Sequence, residues 1–447
     1  MANIDNYEAL ASSRERKLLL EILDRTMDDC DPKKMTKDII KKIDDGIEIM
    51  GNSITFKDND VYVIGAGRSA GHMAEVIDEQ IGDYITKGLI NTDSGHEDIG
   101  NIRVQRSSLS PTKQNINNTA RMLTLAKKVK EDDIVIFLLS ENTSNMLMHP
   151  AEGISQEELI ETEKILQDSG LPEKDCDIIR KHISAVKGGR LAEAFGCRFY
   201  TIILSDKKEG DLSAIGASPS DCDISTFEDT DKIIKKNKLK LPKAVMKHID
   251  LGKKGKNEDT PKVMPVNSKI FMAGSMFTIL ASASEHSQKR KIRTKDFMLE
   301  GNIEDSARSL CDTLRDESAR PCIYIGYGKN EGKSTRKESQ SSRFVHEVVK
   351  GLSDVKKPWA ILSFNMGGDD EENKRGVILD GSQYEEVSKL LEDSTTDADK
   401  MFAEHNSLIV SEGCAIDLSD LVIAFLGTNW NKNRRSHKGK NNKRKKR

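Results

Sequence analysis

No two of the seven cysteines form a C-x-x-C pair, and their spacing builds no disulfide framework. This argues against a zinc site and for a reducing compartment. The chain also lacks a run approaching the ~20 consecutive apolar residues of a membrane span. Its opening, "MANIDNYEALASSRERKLLLEIL", reads as a charged amphipathic helix, not a signal peptide, so a soluble, cytoplasmic protein without membrane contact is expected. Aromatic residues make up only 5%. There is no internal repeat and no G-x-x-x-x-G-K-[S/T] loop; "GYGKNEGKST" (326–335) comes near it with the wrong glycine spacing.

Charge is plentiful, at 32% of residues, and segregated. The net charge is −3, yet residues 432–447 hold ten Lys or Arg and no acid, which leaves the rest near about −13. A detached, disordered basic tail over 429–447 is expected, able to make weak contact with nucleic acid or another polyanion.

A chain of 447 residues is long for one core and suggests two α/β domains. Buried-strand patterns at 61–65, 133–140 and 197–206 alternate with helical ones, including a capping box at Ser155 and Glu158. Helices are also expected at 7–30, 35–50 and 69–82. The polar, proline-punctuated stretch 253–265 reads as a linker. The expectation is therefore two α/β domains with largely parallel sheets, 1–252 and 266–428, and an active-site cleft between them.

In such folds ligands sit beyond the carboxyl ends of strands. The first of these positions, "VYVIGAGRSAGHMA", carries Gly65, Gly67 and Gly71 with Arg68 between them, a turn able to present backbone N–H groups to a phosphate. A dinucleotide fingerprint would need G-x-G-x-x-G and an acid about 20 residues on; the spacing here is different and Asp93 fits only loosely. Further loops offer Ser140 and Ser144, Asp206 and Asp211, and Asp369. The stretch "DIIRKHISAVKGGRLAEAF" gathers Arg180, Lys181, His182, Lys187 and Arg190 around a glycine pair, either a solvated basic face or an anion site.

"RKHISAVKGGRLA" resembles the R-K-H-L-S-x-I-K-G-G-x-L-A signature of the two-domain glycerate 2-kinases (DUF4147/MOFRL type), some of which are labelled hydroxypyruvate reductases. "FLLSENTSNMLMHPAEGIS", "LSDKKEGDLSAIGASPSDCDIST", "SSRFVHE" and "LSFNMGGDDEENKRGVILDG" resemble further segments of that family, in order, over roughly residues 7–426. The resemblance implies phosphoryl transfer from ATP, with magnesium, to the 2-hydroxyl of D-glycerate or a similar small hydroxy acid. It places Arg68, Asp206, Asp211 and Arg343 in catalytic roles, and Gly65, Gly67, Ser140, Ser144 and Asp369 around the nucleotide phosphates. His182, Lys187 and Arg190 take the anionic substrate. Arg68 stands where the family has lysine, and "SENTSN" replaces a glycine-serine loop, placing Glu141 beside the expected phosphates. The alternative implied by these departures is a non-catalytic member that binds an anion or a partner.

Overall fold

The computed structural model describes residues 3–206, 215–264, 268–316, 321–330, 338–352, 357–367, 373–392, 397–414 and 416–427. Asp211, Asp369 and the basic tail lie outside the described residues. The chain forms two compact units, one of residues 32–275 and the other of residues 1–31 with 276–447.

The first unit opens with a meander, β1 (Ile40–Ile43), β2 (Gly46–Ile49) and β3 (Asn52–Thr55), paired antiparallel. The helix expected over 35–50 therefore stops at Ile39. Positive φ at both Met50 and Gly51 gives a two-residue turn whose twist matches the flanking strands, and Ile47, Ile49 and Ile54 bury against the body.

The main sheet has β4 (Val61–Ala66), β5 (Ile85–Thr92), β6 (Ile102–Arg106), β7 (Ile134–Leu139), β8 (Arg198–Ser205) and β9 (Lys269–Ser275). Their order is β6-β5-β4-β7-β8-β9, every neighbouring pair parallel. β4 and β7 are buried at every position because helices cover both faces, which explains their unbroken apolar runs. Counted from β4, the order is the doubly wound 3-2-1-4-5-6, whose topological switch point lies between β4 and β7.

The second unit contains β10 (Arg293–Leu299), β11 (Cys322–Gly328), β12 (Trp359–Asn365), β13 (Lys374–Asp380), β14 (Leu408–Val410) and β15 (Asp420–Leu426). They lie in the order β10-β11-β15-β12-β13-β14, with only β10 and β11 parallel. This sheet is mixed, not largely parallel: β15 inserts antiparallel between β11 and β12. Helices Ile303–Asp316 and Gln340–Gly351 bury one face of it in an apolar cluster with Leu310, Phe344, Val348 and Phe402.

The boundary between the units falls at 275/276, not within 253–265, and "SKIFMAG" completes the first sheet as β9. The first helices belong to the second unit for a reason local sequence does not reveal. Arg16, 1% exposed on helix Arg14–Asp29, donates to the carbonyls of Ile378 and Asn406 at 2.8 Å, to Ser407 Oγ at 2.7 Å and to Gln383 Oε1. Its Nε lies 3.5 Å from Asp380 Oδ2. One buried guanidinium thus ties the amino-terminal helix to the β13 and β14 region. Replacing it strands a buried carboxylate and several acceptors, so Arg16→Met should lose about 3–5 kcal/mol of stability by urea unfolding. A loss under about 1 kcal/mol would show that Arg16 is not the clamp.

Candidate active site at the switch point

The loops after β4 and β7 meet at the switch point, and the N–H groups of residues 67–70 are all donated within the chain. The N–H of Gly67 donates to Asn91 O (3.1 Å), that of Arg68 to Glu141 O (3.2 Å), and that of Ala70 to Gly67 O (3.3 Å). The Ser69 N–H donates to Ser140 Oγ (3.1 Å), and Ser69 Oγ donates to the buried Glu141 carboxylate (2.7 Å). The start of helix Ala70–Ile81, where a phosphate would ordinarily be cradled, is thus engaged by the chain's own serine and glutamate.

The glycines serve this closure. Gly67 has φ +125°, and a Cβ there would strike Ser140 Oγ. At Gly65 a side chain would come within 2.6 Å of Ile90 and 2.9 Å of the Leu138 carbonyl, and at Gly71 within 2.7 Å of the His96 ring. All three are explained by close packing. Asn142, in the left-handed region at φ +61°, reverses the β7 loop into the short helix Thr143–Met146, and Thr143 Oγ1 donates to the Ala66 carbonyl at 2.7 Å.

Beside this closed turn lies a polar cavity of about 290 Å³, lined by Ser140, Glu141, Ser144, Glu173, Asp177, Arg180, Asp206 and Gly216. Of the expected site residues it gathers Ser140, Ser144 and Asp206. Arg68 sits on the turn, its Nε 3.4 Å from Asp93 Oδ2.

Lys187 joins two of the cavity's loops. Its side chain is buried, and Nζ donates to Ser144 O (2.8 Å), Ser144 Oγ (3.0 Å) and Gly216 O (3.4 Å), holding together two loops that line the cavity. Arg180 Nε pairs with Glu163 at 2.9 Å and its NH1 with Asp177 at 3.0 Å, all three buried. The basic stretch is therefore not a solvated face. His182 and Arg190 turn elsewhere: His182 Nε2 lies 3.0 Å from Asp259 Oδ1, and Arg190 donates to the carbonyls of Lys181 (2.7 Å) and Glu258 (3.1 Å). They fasten Glu258 and Asp259 to the basic stretch, and burial lowers the pKa of His182.

In the second unit Arg343 pairs with Glu304 on the neighbouring helix. Sequence reasoning missed Asp420 there. It begins β15, in register with Gly328 of β11 and Asn365 of β12, so that one carboxylate stands where two strands end. Desolvation pushes it up to about 7; Asp417 adds to the rise and Lys329, paired with Asp417 at 2.7 Å, opposes it. The only signal was an acid opening an otherwise apolar strand.

The fold and these loops define an α/β protein whose first unit is doubly wound and carries a polar cavity beside its switch point. Residues 18–250 match the family described as "Domain of unknown function (DUF4147)", and the chain belongs to that family. It is 28% identical to a "Glycerate 2-kinase" of Pyrococcus horikoshii over 88% of this chain and 91% of the relative. It is 24% identical to a "D-glycerate 2-kinase" of Thermotoga maritima over 92% of this chain and 98% of that one. A crystal structure of a protein from Pyrococcus horikoshii superposes with a TM-score of 0.79 at 25% identity, covering 93% of this chain and 99% of the other.

Burial, the largest influence on Lys187, lowers its pKa to about 8 from an ordinary value of 10.5. Below pH 8 the amine is protonated in both states and the full desolvation cost is present. Between 8 and 10.5 the unfolded chain binds the extra proton, so this group's contribution to stability rises with pH, by roughly 3 kcal/mol in all. Lys187→Met should remove that rise; parallel stability profiles for the two proteins across pH 7–10.5 would contradict the assignment.

Proposed function

We propose that this protein is a glycerate 2-kinase, transferring the γ-phosphoryl group of ATP to the 2-hydroxyl of D-glycerate or a similar small hydroxy acid. The observation carrying the reading is the polar cavity at the switch point, in a chain similar over most of its length to proteins with that name. Phosphoryl transfer asks chiefly for positioning and for cations near the transferring group.

In this reading Arg68, at the rim of the closed turn, meets the phosphoryl oxygens, exchanging its contact with Asp93 for a charge-assisted one. Ser140 and Ser144 offer hydroxyls, and Asp206 orients the substrate hydroxyl. Because the N–H groups of 67–70 are engaged, side chains take over the phosphate contacts that a glycine turn would make through its backbone. Lys187 acts as a positioning residue through Ser144 and Gly216. The resemblance also gives Arg343 a role as a cation and Asp211 and Asp369 roles as acids, the two aspartates lying outside the described residues.

Magnesium, when bound, would offset the charge of the phosphate groups. Asp206 is the described carboxylate that would hold it. Among the described residues no three His, Cys, Asp or Glu side chains converge on one point. Such a sparse set suits an ion carried mainly by the nucleotide.

The test is ATP consumption coupled to ADP formation with D-glycerate, followed by identification of the phosphorylated hydroxyl. The expected product is 2-phosphoglycerate; ADP formation no greater than in a glycerate-free control would overturn the reading and favour a non-catalytic anion binder. Within an active enzyme, Arg68→Ala should lower kcat/KM by about 100-fold or more. Arg68→Lys should stay below the parent, since a compact ammonium cannot reproduce the planar fork beside Asp93. Turnover above the parent in Arg68→Lys would mean that the arginine is not adapted to its loop.

A further inference from the structure

The sheet face covered by helix Lys113–Ala126 carries a second concavity, nearer the amino ends of β5 and β6 and so away from the switch-point loops. It measures about 240 Å³. Its floor is Leu89 and Leu125, both part of the buried apolar cluster on that face. Four cations surround it. Lys87 stands two residues before Leu89 on β5 and shares its face, and Arg103 of β6 is the register partner of Leu89. Arg121 lies one turn before Leu125 on the helix, and Lys128 follows just beyond its end.

All four are exposed, and none pairs with a carboxylate among the described residues. Arg121 NH1 donates instead to neutral acceptors, Gln105 Oε1 at 3.1 Å and Asn118 Oδ1 at 3.4 Å, which fix the guanidinium without neutralising it. Three other exposed lysines, Lys33, Lys113 and Lys232, each find an acid. Charge on an edge strand discourages pairing with another chain, which accounts for Arg103, and a lysine suits the negative end of a helix, which accounts for Lys128. Neither reason covers Lys87 on interior β5 or Arg121 within the helix, nor the gathering of all four around one apolar floor.

We propose that this cavity is a second ligand site, taking a small oxyanion with at least two negative groups, either a phosphorylated compound or a polycarboxylate. Mutual repulsion among the cations is relieved when the anion binds. The two guanidiniums, one on the strand and one on the helix, supply forked donors. Leu89 and Leu125 contact the skeleton between the charges. The proposal does not depend on the reaction at the switch point.

Isothermal titration of the full chain with inorganic pyrophosphate and, separately, with citrate tests it and tells the two sources apart. The expected result is that at least one probe binds, and that Arg103→Gln with Arg121→Gln weakens it at least tenfold with an unchanged melting temperature. The pair Lys87→Gln with Lys128→Gln should act in the same direction, which keeps the test decisive if the first pair folds poorly. The basic carboxyl-terminal segment and the switch-point loops are intact in every variant, so only the difference reports on the cavity. No binding of either probe, or affinities within twofold of the parent in both double variants, would overturn the proposal.

Discussion

The closure between the β4 turn and the β7 loop is the interaction on which the first unit's site depends. Two parallel strands at the centre of a doubly wound sheet diverge at their carboxyl ends and leave a crevice, and most such folds use it for a ligand. Here the crevice is spanned by the chain itself: Ser140 and Glu141 accept from Arg68 and Ser69, and Gly67 keeps the strands close enough for them to do so. The polar cavity lies to the side, where Ser144, Asp206 and Gly216 line it. A turn read as a phosphate cradle becomes a brace.

The cavity wall rests in turn on buried charge. Taking Lys187, Arg180, Glu163 and Asp177 out of water costs several kcal/mol per ion, repaid only when each finds well-placed partners. Arg180 finds two carboxylates, and Lys187 finds three neutral acceptors on two loops. The difference explains why Lys187, without a direct counter-ion, is the group driven toward neutrality. Arg16 uses the same chemistry in the second unit, with carbonyls from distant segments, and fixes which unit the amino terminus joins.

Much of this was legible in sequence. The apolar runs of β4, β7 and β8 announced a parallel sheet, and the capping box at Ser155 and Glu158 forms as read. What stayed hidden was long-range. Isoleucines at 40, 43, 47 and 49 suit a helical stripe as well as a hairpin, and only the burial pattern across three short strands separates the two. The basic stretch at 180–190 looked anionophilic because its partners, Glu163, Asp223 and Asp259, are dispersed along the chain. Strand β15 was legible as a strand, but not its antiparallel insertion, which is what places Asp420 at a strand-end position.

Amide hydrogen exchange at residues 67–70 tests the brace most directly. If these N–H groups are donated within the chain, they are already protected in the nucleotide-free protein, and adding ATP with magnesium changes their rates by less than about twofold while perturbing the cavity loops around Ser144. Amides at Arg68 and Ser69 that exchange freely alone and slow more than about tenfold with nucleotide would contradict the account, and return the turn to its role as a phosphate cradle.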